Sequence, residues 1–392
     1  MAISSDPQLE RLLRRPTRTP GPATVRPIPR ESTGATLHAE RGTRVHGRAG
    51  RPRPRIAALS TCNWETSLTQ PEVLERLGLS GNAFAEGIFE RSGVERRALD
   101  LSESFMSSTL QGRATQIEDE LLRESVTAID ALALEPHLVG TVITSSLYSL
   151  GCPTLAHRLV EHYGMDPSTD KYHVTGVGCA SGVPLMRLAA QAMAEHPGRQ
   201  ALVVAAESMS GTITRARPGD SRAKIVASAI FGDGCAAALL SDDQRTGGPR
   251  ILASRVHQLG GSSLGAVSLK WEAEDSYLHL DVELPDMAGA GVPEVADSFL
   301  SDNGLRRADI DHWIVHPGGR RIITNVATAL GLSDDDVECS WRTLAEHGNV
   351  GTPAIMYVLD ETIKRRRPQP GERGLIVTIG PGVGVGMMLL LW

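Results

Sequence analysis

Two runs restrict the folds open to this chain more than anything else in it. Val139-Gly140-Thr141-Val142-Ile143-Thr144 and Gln200-Ala201-Leu202-Val203-Val204-Ala205-Ala206 are apolar with no polar alternation, and the first is rich in β-branched residues. Strands that read this way are buried on both faces, so helices must cover each side. Between them, Ala180 to Glu195 carries apolar residues at helical spacing (Val183, Leu185, Met186, Leu188, Ala189, Met193). Buried strands alternating with amphipathic helices predict an α/β protein built on parallel sheets.

The alternation extends along the chain. Ile56 to Ser60 reads as a buried strand, Pro71 to Leu79 as a helix capped by Thr69, and Ile117 to Leu134 as a long core-facing helix. His157 to Tyr163 reads as helix, Tyr172 to Val174 as strand, and Cys235 to Leu240 as the strand that closes a first half. Ser241 to Arg250 is polar and turn-rich, which sets the expected division into halves 56–245 and 246–392. In the second half, 286–304, Arg321 to Leu330 and Pro353 to Lys364 read as helices. Trp313 to Val315 reads as a strand, and Leu375 to Ile379 and Gly386 to Leu391 as a strand pair around a glycine turn. The halves show no sequence repeat.

Composition removes several function classes. A net charge of −6 argues against nucleic-acid binding through overall charge. Five cysteines with no CxxC pair are neither a disulfide framework nor a zinc cluster, and no metal is expected. No apolar run is long enough to span a membrane. Residues 1–55 hold 12 Arg and no Lys against four acids, a surplus of +8, leaving −14 on the remainder. This Arg/Pro/Gly-rich leader lacks apolar periodicity and is expected to be disordered. Its Arg14-Arg15 pair has no apolar segment behind it, so a solvated tail is favoured over an export or docking arm.

The segment with the most chemistry is Val174-Thr175-Gly176-Val177-Gly178-Cys179-Ala180-Ser181-Gly182. A strand runs through a glycine turn into a helix, with Cys179 at the helix start, where free N–H groups and the helix dipole favour a thiolate. A buried cysteine acting as a small hydrophobe fits the segment equally well. His316 ends the strand Trp313-Ile314-Val315, at the carboxyl edge where α/β sheets gather their sites. There a neutral imidazole can donate to an oxyanion, or can simply be satisfied by loop backbone. Asn349, in Glu346-His347-Gly348-Asn349-Val350-Gly351, offers a donor that does not titrate, or a turn residue beside glycine. Gly380 to Gly386 alternates glycine but lacks the residues of a phosphate loop, so it predicts close backbone approach to the site.

Taken together, Gly178-Cys179, Glu207 in Ala205-Ala206-Glu207-Ser208, Phe231-Gly232-Asp233-Gly234, Trp313 to Gly319 (WIVHPGG), Glu346 to Gly351 (EHGNVG) and Gly380-Pro381-Gly382 resemble the type III polyketide synthases. These are the chalcone and stilbene synthase-like branch of the thiolase superfamily. The resemblance spans about residues 56–392 and is of the bacterial type. HPGG separates it from β-ketoacyl synthases III, which usually read HQAN there.

The resemblance implies a thiolase-like fold of two βαβ-rich halves in α/β/α/β/α layers. It implies Cys179 as the nucleophile and His316 and Asn349 as donors to the thioester oxygen. Phe231 matches the gatekeeper of a coenzyme A tunnel, and Leu278 the second gatekeeper, usually phenylalanine. Gly351 stands where the family has serine, and Glu207 matches a glutamate tied in some members to aldol cyclisation, though a structural carboxylate is equally consistent. Thr212, Gly380, Pro381 and Gly382 complete the implied substrate-binding positions. Arg91, with Arg96 and Arg97 nearby, is the implied coenzyme A phosphate holder, fewer basic residues than the plant enzymes carry. Implied partners are acyl- and malonyl-coenzyme A or an acyl carrier protein, with no other cofactor, in a cytoplasmic homodimer. Ser145 to Pro153 matches the usual cavity loop poorly, and Cys152 is left between cavity and core. A single-round condensing enzyme, a thioester hydrolase or acyltransferase using the same Cys179 and His316, and a silent binding partner remain the rival readings.

Overall fold

A computed structural model describes residues 53–62, 67–217, 219–243, 245–260, 264–272 and 275–392. All of them belong to one compact unit. The leader expectation for residues 1–52, including Arg14-Arg15, lies outside the described residues.

Nine strands make the main sheet: β1 (Arg55–Cys62), β2 (Val139–Ser145), β3 (Asp170–Val174), β4 (Gln200–Glu207), β5 (Gly234–Ser241), β6 (Arg250–Gln258), β7 (His312–Val315), β8 (Arg373–Gly380) and β9 (Gly384–Leu391). Their order is β7-β8-β9-β6-β1-β5-β4-β2-β3. Every strand of this sheet before residue 242 thus lies on one wing and every later one on the other. The wings meet through a single register pair, Arg55 with Arg250.

The sheet is mixed, which corrects the parallel expectation. β2 pairs in parallel with β3 and β4, and β7 with β8. The pairs β4–β5, β1–β5, β8–β9 and β6–β9 are antiparallel. For β8 and β9 the reason is local, because a short glycine turn can only return the chain antiparallel.

The helices that matter for the site are α1 (Leu110–Asp130), α2 (Leu155–His162), α3 (Gly182–Ala192), α4 (Arg222–Ile230), α5 (Leu284–Asp302), α6 (Arg320–Leu330), α7 (Glu338–His347) and α8 (Ala354–Glu361). α1 starts a full turn and more before the predicted Ile117, because Thr109 caps it by accepting from the Gly112 N–H at 3.0 Å. α8 ends early in a π-helical turn over Thr362–Arg366. Helix α7, strand β6 and the hairpin Val267–Trp271/Ser276–Leu280 carry periodicity too weak to be read from the sequence.

The layers follow from who packs on whom. α1 and α2 share a core with the outer face of the first wing through Ile117, Leu121, Leu155, Val142 and Leu202. α5 and α6 cover the second wing through Val292, Phe299, Ile323, Val326, Val315 and Val377. α3 and α8 lie between the wings. Val183, Met186, Ile355 and Val358 join strand residues from both, such as Val203 and Ile376. That is helix, sheet, helix, sheet, helix. The sandwiched pair packs closely enough that Gly182 must be glycine, since a Cβ there would overlap Ile355. No described helix is long and apolar enough to cross a membrane.

Candidate active site

Gly176 and Gly178, at φ +81° and +55°, bend the chain after β3 in a way other residues resist. The result is a 3-10 turn, Gly178–Ala180, ahead of α3, which begins at Gly182 and not at the predicted Ala180. Cys179 therefore sits on a turn just outside the helix start. The β8–β9 turn closes over it. A Cβ on Gly380 would strike the Ala180 backbone nitrogen, and Gly178 faces the Pro381 ring. Thr378 adds a hydrogen bond to the Ala180 carbonyl at 3.2 Å. The close backbone approach expected of Gly380-Pro381-Gly382 is present.

The second wing supplies Asn349. Its N–H donates to the Ile230 carbonyl (2.9 Å), and its carbonyl accepts from Gly232 (3.2 Å), which fixes the backbone beside Phe231. The side-chain Oδ1 accepts the Gly351 N–H at 3.0 Å, so the NH₂ end remains to donate. Both amide heavy atoms lie 3.6 Å from the Cys179 sulfur.

His316 is buried directly after β7, its N–H held by the Val377 carbonyl of β8 at 2.9 Å. The following Gly319 packs on Ile230, the residue that receives the Asn349 N–H. The His316 ring Nδ1 is buried with no hydrogen-bond partner. Burial pushes its pKa down to about 3, so the ring is neutral.

Around the sulfur the wall is apolar. Met209, Ala227, Phe231 and Leu278 form a buried cluster, with Leu147, Cys179, Leu269 and Leu280 packed against it. Both expected gatekeeper positions thus belong to the cluster against which Cys179 packs. Crowding about the half-buried Cys179 pushes its thiol up to about 12, a shift opposed by the Asn349 amide and reinforced by Glu207. This corrects the resting thiolate expected from the helix start. That expectation counts the dipole and omits desolvation, which here dominates.

Glu207 ends β4 and is buried. Its carboxylate accepts from the Leu147 N–H at 2.8 Å, from Ser146 at 3.3 Å, and from the Thr352 hydroxyl. Burial raises its pKa to about 7. Gly351, at φ +70°, lies against it, and a Cβ there would overlap the Met209 methyl. Thr212 is buried, with its hydroxyl spent on the Met209 carbonyl at 2.8 Å.

The basic residues separate. Arg91 is exposed and folds back over Gly87. Arg96 is exposed on a short strand. Arg97 is fully buried and donates to the carbonyls of Phe231 (3.0 Å) and Ser228 (2.6 Å), so it braces the Phe231 backbone from behind and is not open to a phosphate. Asp233 of the FGDG segment accepts from the Ser210 N–H (2.8 Å) and hydroxyl (2.5 Å), fixing the turn that carries Met209. Cys152 is exposed, which removes the core reading. The sequence assigns no role to Arg97 as a support for the gate, nor to Asp233, Met209 or Thr352. Asp233 lies inside a quoted motif and Thr352 adjoins one, whereas Met209 and Arg97 carry no local signal. No group of His, Cys, Asp and Glu among the described residues could hold a metal ion.

A family model described as FAE1/type III polyketide synthase-like protein matches residues 57–285. The chain belongs to the type III polyketide synthases. The C-terminal domain model of chalcone and stilbene synthases matches residues 252–391. The chain is 32% identical over 353 residues, 86% of its length and 93% of the relative's, to a 3,5-dihydroxyphenylacetyl-CoA synthase of Amycolatopsis balhimycina. A 1,3,6,8-tetrahydroxynaphthalene synthase of Streptomyces peucetius subsp. caesius is 31% identical over 68% of this chain and 70% of that one. The crystal structure of PKS-I from the brown alga Ectocarpus siliculosus superposes with a TM-score of 0.79 at 26% identity, covering 88% of this chain and 99% of that one. As in this family, the chemistry is iterative condensation of malonyl units by an acyltransferase-type enzyme.

Proposed function

We propose that this type III polyketide synthase loads an acyl group from coenzyme A onto Cys179 and extends it with malonyl-coenzyme A. The observation that carries the reading is the 3.6 Å approach of the Asn349 amide to the Cys179 sulfur within an apolar chamber.

In the loading step the thiol of Cys179 gives up its proton as the sulfur attacks the starter thioester. Coenzyme A leaves as its thiol and takes that proton. His316, kept neutral, does not take this proton and serves as a hydrogen-bond donor. In the extension step the malonyl carbon–carboxylate bond breaks and carbon dioxide leaves. The electron pair forms an enolate on the thioester oxygen. Neutral donors from His316 and Asn349 stabilise that oxygen without the pairing losses a charged donor would bring. The enolate carbon then attacks the acyl–sulfur thioester, forming a carbon–carbon bond and freeing the sulfur for the next round. Loss of carbon dioxide supplies the driving force, and no metal or redox cofactor takes part.

Phe231 and Leu278 form the gate between tunnel and chamber, and Gly380-Pro381-Gly382 the wall against the nucleophile turn. Exposed Arg91 is the remaining candidate for the coenzyme A phosphates. With so few basic residues there, an acyl carrier protein is the alternative donor. Halves 56–245 and 246–392, a homodimer and a cytoplasmic location complete the reading. The sheet order supports the division, since each half contributes one contiguous wing. Mass analysis of products from a panel of acyl-coenzyme A starters with malonyl-coenzyme A tests it. Multiply extended products are expected, and products of one extension only would instead favour a single-round enzyme.

A further inference from the structure

The hairpin Val267–Trp271/Ser276–Leu280 brings Leu278 into the cluster against which Cys179 packs. Among the described residues its two strands pair only with each other and not with the main sheet. No shared ladder sets its position, so side chains do. The Tyr148 ring lies 6.0 Å from that of Trp271, and its hydroxyl meets the Ser276 hydroxyl. Lys224 of α4, the helix that ends at Phe231, stands 5.5 Å over the Tyr277 ring. The charged anchor is Asp275, which is buried just ahead of Ser276. Its Oδ1 accepts from Nη2 of buried Arg113 on α1 at 2.8 Å. Its Oδ2 lies 2.5 Å from Nη2 of Arg217, in the segment between Thr212 and α4. The two arms differ in kind. Arg113 is sealed in, whereas the Arg217 side chain is 50% exposed, so water and salt compete for that arm alone.

We propose that Asp275 is a positioning residue for the condensation. Its carboxylate, clamped between Arg113 and Arg217, holds the hairpin where Leu278 closes on the chamber, and the Arg217 arm is the one that yields. This deepens the functional reading above and rests on it. Asp275 touches no reacting atom and acts through Leu278. Weakening the clamp lowers the fraction of molecules with the hairpin closed. Apparent affinity then falls by that fraction for any thioester, whatever its acyl chain. A bound thioester restores closure, so turnover at saturation is spared.

The test is steady-state condensation with the starter that the acyl panel extends best, presented both as its coenzyme A thioester and as its N-acetylcysteamine thioester, which carries no phosphate. In Arg217→Gln, KM for both thioesters should rise by about threefold or more while kcat stays within about twofold, the pattern of lost closed population. Arg217→Lys keeps the charge and should restore KM. Asp275→Asn should raise KM in the same sense, and adding Arg217→Gln to it should change KM little further, since both act through one contact. An unchanged KM for the N-acetylcysteamine thioester in folded Arg217→Gln would overturn the proposal, even if Asp275→Asn fails to fold. A rise confined to the coenzyme A thioester overturns it too, because that pattern means a direct contact between Arg217 and the phosphates. Either result leaves the synthase reading intact. If the wild type extends no starter in either form, the synthase reading falls and this inference falls with it.

Discussion

The Cys179 sulfur and the Asn349 amide, 170 positions apart in the chain, lie 3.6 Å from each other. Cys179 comes from the first wing and Asn349 from the loop ahead of α8, so the contact exists only because α3 and α8 are packed together between the wings. The Gly351 N–H orients the amide by occupying its oxygen. Sulfur and donor thereby share one small volume, the arrangement a condensation on a thioester requires.

Cys179→Ala should abolish polyketide formation while leaving the far-ultraviolet circular dichroism unchanged. Cys179→Gln places an amide carbonyl where the acyl thioester would be, and should keep measurable release of carbon dioxide from malonyl-coenzyme A. Complete loss in the second variant, with His316 and Asn349 intact, would refute the donor roles assigned to those two residues.

Asn349→Ala and His316→Ala should each slow malonyl decarboxylation by about 10²–10³, the usual effect of deleting one oxyanion donor. Asn349→Asp is the sharper variant. It retains an oxygen for the Gly351 N–H but presents a carboxylate where the enolate charge develops, so it should be at least as damaging as alanine. Decarboxylation rates near wild type in Asn349→Asp would count against a donor role.

Burial holds the His316 ring at about 3, well below its ordinary 6.5. The ring therefore stays neutral across the working range, so any inflection near neutral pH in decarboxylation by Cys179→Gln belongs to Glu207, raised to about 7, and should vanish when Glu207→Gln is added. The sign for stability is the reverse of a salt-bridged histidine. Unfolded chains bind this proton and folded ones do not, so stability should decline as pH falls below about 6.5 and continue to decline towards about 3. Comparing acid denaturation of wild type and His316→Phe checks this, with the variant expected to lose less.

Glu207→Gln keeps an acceptor for the Thr352 hydroxyl but sets an NH₂ group against the Leu147 N–H. One buried donor is then left unpaired, at a cost of about 1–3 kcal/mol. A urea titration should show the midpoint falling with an unchanged slope. An equally stable variant would mean that the Ser146-Leu147 turn after β2 is not held through this carboxylate.

Arg97→Met should destabilise the protein by about 1–3 kcal/mol, because it strips the hydrogen bonds from the buried Phe231 and Ser228 carbonyls. The same change frees the gate backbone, so KM for acyl-coenzyme A should rise more than kcat falls. A purely structural role would lower active protein without altering KM.

Nearest-neighbour patterns make a large part of this molecule legible. β2, β4 and β5 are buried strands because their runs have no polar face, and the sequence places each to within about two residues. Cys179, His316 and Asn349 stand out as candidates because each lies beside glycines at the end of a periodic element. Strand direction is where the same logic stops, since periodicity reports burial and not the direction of the neighbouring strand, and the sheet is mixed where parallel pairing is expected. Helix α7 escapes a local reading because it is held by its place under β7, where Ser340 donates to the Val315 carbonyl at 2.7 Å.

Charge state and volume are decided elsewhere. The amino-acid order is enough to single out Cys179, His316 and Asn349 as candidates, because chemistry-bearing residue types beside turns are local facts, whereas Phe231 enters only through the family resemblance. It does not tell that the thiol is pushed up to about 12, that Arg97 is sealed behind Phe231, or that Met209 fills the space above Gly351. Desolvation and steric exclusion depend on every atom within a few ångströms, and those atoms come from segments brought together only when the two wings close on α3 and α8.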